Sequence, residues 1–498
     1  MSRSTWLALA LLALSACGGG GGSSSPAPST FTVSVAVAGL AGGTLVLQNN
    51  SGDSLAVATN GSASFATALA SGATYAVSIK SSPTGQTCTL ANATGTIPGA
   101  NVTNVSATCT SGSNVAAITV DAGPSGATFT NINVPFVTVT VCTPGTSTCA
   151  TVDHVLVDTG STGLRVGQWA LGALALPAVT VNSQPLIECY QFADGYIWGA
   201  VRSADVSIAN GTAHALPIHV IADAAAPAKV PSDCSNGSKG ALTPESSLAA
   251  LGSNGTLGLD IFQYDCDAYC VTNAAPGLYY LCPGGTCANS TASLSAQVQN
   301  PVFGFTGNTN GVVIVLPSVN AAGQATASGS LVLGIDTQPD NQLGSAQILS
   351  VDANCAADVY CSEFNTIYHA STGDQTLQGS FIDSGSNGLF FADTASNSPV
   401  TACTQSGLTG FYCPASTLAL TANNVSRVNG ASIATSFTVA NINTLLTNNP
   451  SATALPGAAG SNPVGGFDWG LPFFYGRSVF VAFETQTTSA GPGPFYAY

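Results

Sequence analysis

This sequence is poor in charge, methionine and histidine, and past its first residues it has no long apolar run. Of 498 residues only 6% are charged, with 8 Lys plus Arg and a formal net charge of −15. So few cations exclude nucleic-acid binding, which needs basic patches to displace counterions, and electrostatic adhesion to anionic lipid. No apolar segment after residue 17 is long enough to cross a bilayer as a helix. The chain lacks a Gly-x-Ser-x-Gly elbow, a His-Glu-x-x-His pair and a Walker loop, and with them the chemistries those motifs carry. Its four histidines, His154, His214, His219 and His369, are scattered. His154 is expected to be a strand residue and not a ligand. No cofactor and no metal site is expected.

What is present is hydrophobic and small-polar. With 45% hydrophobic residues the chain can bury a sizeable core, and its length points to more than one domain. A surface made polar by Ser, Thr, Asn and Gly suits an exported protein, and suits acid, where few cations remain to repel one another. Residues 1–17 read as an export signal, with Arg3 before the apolar stretch Leu7–Leu14. The ending Leu14-Ser15-Ala16-Cys17 resembles a bacterial lipobox, in which Cys17 would carry the lipid. Gly18 after it, in the lipoproteins this resembles, favours transport to the outer membrane. The expected location is therefore the bacterial cell envelope, with membrane contact through the N-terminal lipid only.

Fifteen cysteines are present, and setting Cys17 aside leaves an even number in an exported chain, which reads as a disulfide framework. Short spacings propose Cys142–Cys149, Cys355–Cys361 and Cys403–Cys413, with Cys88–Cys109 as an intradomain bridge. Cys266, Cys270, Cys282 and Cys287 are expected to pair among themselves, and Cys189 with Cys234 by elimination. Zinc is the rival for the 266–287 cluster, but an oxidising compartment favours disulfides.

Residues 18–30 form a Gly/Ser/Pro tether. From 31 to 112, short alternating runs such as Phe31-Thr-Val-Ser-Val-Ala-Val37 and Tyr75-Ala-Val-Ser-Ile79, separated by Gly turns, predict a small β-sandwich of immunoglobulin-like size. It is expected to be a spacer, with a binding module as the alternative. The remainder reads as β-rich, with short helices near 167–175, 244–252 and 441–447.

Two near-identical decapeptides sit far apart: Val155-Leu-Val-Asp-Thr-Gly-Ser-Thr-Gly-Leu164 and Ser380-Phe-Ile-Asp-Ser-Gly-Ser-Asn-Gly-Leu389. Each carries an aspartate, Asp158 or Asp383, between an apolar run and a hydroxyl- and glycine-rich turn. The repetition predicts two related lobes meeting at these turns. Two carboxylates brought together can share one proton, since like charges that close do not both ionise easily, and such a pair can activate water. The alternative is an ordinary Asp-Ser/Thr-Gly turn.

Beyond those triplets the chain resembles the pepsin-like aspartic proteases, in a bacterial, lipoprotein-type branch. The likeness runs from about residue 114 to 498. It includes a flap-like segment Phe192-Ala-Asp-Gly-Tyr-Ile-Trp-Gly199 followed by Asp205-Val-Ser-Ile208, and the crossing segment Gly255-Thr-Leu-Gly-Leu259. Further on, Gly329-Ser-Leu-Val-Leu-Gly-Ile-Asp336 and Trp469-Gly-Leu-Pro-Phe-Phe-Tyr-Gly-Arg-Ser-Val-Phe480 match in order. The resemblance implies an all-β fold: a bilobal pepsin-like domain, lobes 113–320 and 321–498, behind the sandwich. It implies an endopeptidase in which Asp158 and Asp383 hold the attacking water, and a monomer whose partner is a peptide or protein substrate. Gly160 and Gly385 would allow the loops to approach, Thr159 and Ser384 would bond across the lobes, and Ser161 and Ser386 would hold the outer carboxylate oxygens. Tyr190, Phe192, Asp194, Gly195 and Arg165 would line the flap and cleft. Phe192 stands where the family has a flap tyrosine, Arg165 where it often has tryptophan, and Asp468 where an apolar residue is usual. Arg165 is expected beneath Phe192 or facing an acidic substrate group. The alternative is a catalytically silent pepsin-fold lipoprotein that binds peptides or another partner, and a third reading is an adhesive surface protein.

Overall fold

The structure is a computed structural model and describes residues 29–40, 43–83, 86–193, 195–237, 240–354, 363–395, 397–462 and 465–498. Cys17, Asp194, Cys355 and Cys361 lie outside the described residues. Strands hold 46% of the residues and helices 8%, so the chain is all-β. Period-two sequence is the cause. In Ser432–Val439 every second residue is buried, namely Ile433, Thr435, Phe437 and Val439. Val137, Val139 and Val141 do the same in Pro135–Cys142. Each such apolar side chain contributes about 1.5–3 kcal/mol on burial.

Residues 30–111 include two four-stranded sheets. One is ordered Gly61–Ser64, Val33–Ala38, Val102–Ser111, Gln86–Ala91, and the other Asp53–Val57, Leu45–Asn49, Thr74–Ser81, Thr94–Thr96. They share one core around Val33, Val35, Leu45, Leu47, Phe65 and Val105. Cys88 and Cys109 face each other across paired strands and are bonded.

A 17-stranded sheet begins at Val115–Val120 and carries Cys149–Asp158. It continues past residue 320 through Ala327–Leu333, Ile348–Ser350, Ser478–Ala482 and Phe495–Ala497. A seven-stranded sheet holds Gly373–Ile382, which delivers Asp383, and Phe467–Trp469 and Leu389–Phe391 beside it. One apolar core runs beneath both aspartates and includes Val157, Leu257, Ile382 and Trp469. Short helices at Gln168–Leu171, Leu248–Leu251 and Ile442–Asn448 fall in the expected places.

One bulge matters for the first aspartate. Val137 pairs Val155 but Val139 pairs Val152, so Asp153 and His154 together oppose the single Thr138, one residue extra, with His154 at φ +48°. The bulge lets Val152 and Val155, three apart, share the core face, and it restores alternation before Asp158.

Candidate active site

Each aspartate ends a strand held by the same three-strand device. Gly255–Leu259 runs parallel to Cys149–Asp158, with Asp158 opposite Gly258, and antiparallel to Thr162–Gly167, with Gly163 opposite Gly258. In the second half Phe467–Trp469 runs parallel to Gly373–Ile382 and antiparallel to Leu389–Phe391. The crossing strand must pass close beneath the turn. A Cβ on Gly258 would lie 2.7 Å from Ser161 O, and one on Gly470 2.6 Å from Ser386 O, so both positions need glycine. Gly255–Leu259 is buried on both faces, which makes the support rigid.

The two turns lock reciprocally. Thr159 N donates to Ser384 Oγ at 3.1 Å and Ser384 N to Thr159 Oγ1 at 2.9 Å. Thr159 Oγ1 donates to Ile382 O at 2.9 Å, and Ser384 Oγ to Val157 O at 2.7 Å. Every donor thus has an acceptor in the opposite half. Within each turn the carboxylate is held alike. Gly160 N donates to Asp158 Oδ1 at 2.9 Å and Gly385 N to Asp383 Oδ1 at 2.7 Å. Ser161 Oγ donates to Asp158 Oδ2, and Ser386 Oγ to Asp383 Oδ2 at 2.8 Å. A Cβ on Gly160 would sit 2.6 Å from Asp383 Cγ, and one on Gly385 2.5 Å from Asp158 Oδ1.

The carboxyl groups of Asp158 and Asp383 lie close enough to interact directly. Burial raises Asp158, and burial with the repulsion of Asp158 raises Asp383 well above the usual range. The pair therefore behaves as one unit that holds a proton between two carboxyls. Asp383 is partly open to solvent, so water can reach it. A cavity of about 190 Å³ adjoins the pair, lined by Thr159, Gly160, Asp260, Glu363, Phe381 and Tyr496.

The flap-like segment is a hairpin. Gln184–Gln191 pairs antiparallel with Gly195–Ile208, and Phe192 N donates to Gly195 O at 2.8 Å across the tip. Tyr190 and Phe192 share a face, with rings 5.1 Å apart edge to face. Tyr190 lies near enough to Asp158 to feel its charge.

Arg165 corrects the expectation. It is wholly buried, and its guanidinium lies 3.5 Å from the ring centre of Tyr190, not beneath Phe192 and not open to substrate. Its Nη2 donates to Glu188 Oε1 at 2.9 Å and Asp265 Oδ2 at 3.4 Å. Tyr279 Oη donates to Asp265 at 2.7 Å, and His219 Nδ1 is 3.1 Å from Glu188 Oε2. Burial alone would raise Glu188, but Arg165 and His219 outweigh it and hold Glu188 down to about 2. Burial and the charge of Glu188 push Asp265 well up. One carboxylate balances the one guanidinium, and the second carboxyl keeps its proton. A buried cation needs such partners.

The model of a family of proteins of unknown function, DUF3443, matches residues 110–498. The chain belongs to the DUF3443 family. No curated protein matches it. Among solved structures this DUF3443 chain is similar to the crystal structure of aspartic proteinase from Irpex lacteus, at 13% identity and a TM-score of 0.39. The match covers 77% of this chain and 96% of that one.

The other candidate residues of the DUF3443 chain divide cleanly. Cys142–Cys149, Cys189–Cys234, Cys266–Cys270, Cys282–Cys287 and Cys403–Cys413 are bonded, as is Cys88–Cys109. Disulfides therefore account for the 266–287 cluster. Gly195 lies at the hairpin tip, where a Cβ would be 2.7 Å from Thr243 O. Glu188, His219, Asp265 and Asp260 escaped the sequence reading. Glu188 carried a signal, since an acid within the apolar run Leu186-Ile187-Glu188-Cys189 of a charge-poor chain calls for a buried partner. Asp260 carried none.

Proposed function

We propose that the protein is an aspartic endopeptidase of pepsin-like, bilobal architecture, hydrolysing peptide bonds with a water activated by Asp158 and Asp383. The reading rests on one observation above all: two carboxyls brought against each other, each carried on a turn that is the structural duplicate of the other and interlocked with it. With one proton on the pair, the ionised carboxyl takes a proton from the water as it attacks the scissile carbonyl. The protonated carboxyl donates to the carbonyl oxygen. The tetrahedral intermediate then collapses as a proton passes to the leaving nitrogen, and no covalent enzyme intermediate forms. Phe192 and Tyr190 at the hairpin would cover the substrate, with Arg165 fixing Tyr190 from below by stacking. The N-terminal sequence supports an exported, lipid-anchored protein held at the envelope through Cys17.

The test is cleavage of casein or quenched peptides from about pH 2 to about pH 7, with and without a statine-type inhibitor. Cleavage that the inhibitor blocks supports the reading. Peptide binding without turnover at any pH would turn it toward the silent, peptide-binding alternative.

A further inference from the structure

The duplication of the two halves is broken at one buried position. Registering Gly258 on Gly470 sets Thr256 of the first crossing strand against Asp468 of the second. Asp468 pairs with Phe381 and Phe390, so it shares their face of the sheet, which is also the face of Asp383 two residues beyond Phe381. Phe467 and Trp469 point the other way into the core, stacked 3.8 Å apart. Asp468 is only 7% exposed, and its Oδ1 has no hydrogen-bond partner among the described residues. Its carboxyl lies close enough to the Ser386 hydroxyl to interact with it, and that hydroxyl donates to Asp383 Oδ2 at 2.8 Å.

The hydrogen inventory sets the direction. Ser386 has one hydroxyl hydrogen, and Asp383 takes it. An ionised Asp468 could only accept, and would face the Ser386 oxygen lone pairs with no cation among the groups acting on it. Burial and the nearby Asp383 push its carboxyl well above the usual range. A neutral carboxyl can instead donate O–H to Ser386. We propose that Asp468 is a positioning residue: a neutral acid that donates to Ser386, aligns that hydroxyl on the outer oxygen of Asp383, and so sets the pH at which the aspartate pair holds a single proton. This rests on the peptidase reading of the pair. Chained hydrogen bonds strengthen one another, so the donor at the far end favours the charged form of Asp383. The other titratable groups facing the pair are Tyr190 from the hairpin and Asp260, Glu363 and Tyr496, which line the adjoining cavity. They are common to every variant below.

The experiment is a carbon-13 NMR titration of the full chain with labelled aspartate, for wild type, Asp468→Asn and Asp468→Leu, with Asp383→Asn for assignment. Asparagine still donates and carries no charge, so its dyad midpoint should stay with wild type. Leucine removes the donor at similar volume, and the midpoint should rise by roughly half to one pH unit, as Asp383 loses support for its charge. The acid limb of peptide cleavage should move the same way, through kcat more than KM. A lower midpoint in Asp468→Leu would show that Asp468 acts as a negative charge, and unmoved midpoints in both variants that it does nothing to the pair. Either result overturns the inference. If Asp468→Leu does not fold, Asp468→Ala takes its place. If wild type cleaves nothing, the peptidase reading fails, while the titration still decides the role of Asp468.

Discussion

Asparagine in place of either aspartate keeps the shape of the side chain and removes its proton chemistry. Asp158→Asn and Asp383→Asn should each abolish peptide cleavage, by at least about 10²–10⁴-fold in kcat, with the fold intact by circular dichroism. Near wild-type turnover in either one would refute the shared-water mechanism. Arg165 belongs to a different account. Its side chain has no route to substrate, so Arg165→Leu should act on stability, leaving Glu188 buried without its counter-ion at a cost of about 3–5 kcal/mol. A denaturant midpoint indistinguishable from wild type would show the network to be inert. Phe192 sits at the hairpin tip and should tolerate tyrosine, whereas Phe192→Ala should raise KM. Tyr190→Ala should be worse than Phe192→Ala in steady-state kinetics, because Tyr190 also packs on Arg165. Arg165 was visible in the sequence as a departure in the motif, but its place was not. Its partners are 23 and 100 residues away, and nothing local selects Glu188 and Asp265 over other acids.

At the level of the element, the site is two copies of a strand, a turn and a crossing strand. The turns interlock through backbone N–H groups and two hydroxyls. Thr159→Val should remove both the bond to Ile382 O and the acceptor of Ser384 N, costing about 1–3 kcal/mol, and should lower kcat as the loops part. Urea denaturation beside single-turnover cleavage measures the two effects. Gly160→Ala should be more damaging to activity than to folding, since its new methyl meets the Asp383 carboxyl directly. The turns and the crossing segments were legible because their requirements are local: a glycine where chains nearly touch, a hydroxyl where an N–H needs an acceptor. The bulge at Asp153-His154 was not, because it shows only when Val152 and Val155 are seen to share a face.

The whole molecule carries an acid-leaning stability profile. Burial, with the charges of Asp383, Glu484 and Glu363, raises Asp260 from 3.8 to about 7. The folded chain therefore keeps a proton there that the unfolded chain loses near its ordinary value. The resulting stability is present at low pH and is lost as pH rises from about 4 through about 7. Asp260→Asn should raise the melting temperature at pH 8 and leave it unchanged at pH 4, with the partial exposure of the side chain trimming the gain. An equal shift at both pH values would locate the effect in packing. Glu188 has the opposite sign. Held at about 2, it stabilises fully above its ordinary 4.5 and gives that up progressively as pH falls from about 4.5 through about 2. If Cys17 bears lipid, Cys17→Ser should move the protein from membrane to soluble fractions without changing its melting temperature.

The sequence by itself determined what local chemistry can specify. It determined the all-β class through alternation, the paired Asp turns through repetition, and the short-range disulfides through the spacing of cysteines in a charge-poor chain. Only the tertiary structure decided which charges are buried and beside what. Arg165 beneath Tyr190, Asp260 against Asp383, and Asp468 behind Ser386 all depend on segments far apart in the chain. The energy of a charge is set by its neighbours in space and by the water it has lost. Neither quantity is written at any one position of the sequence.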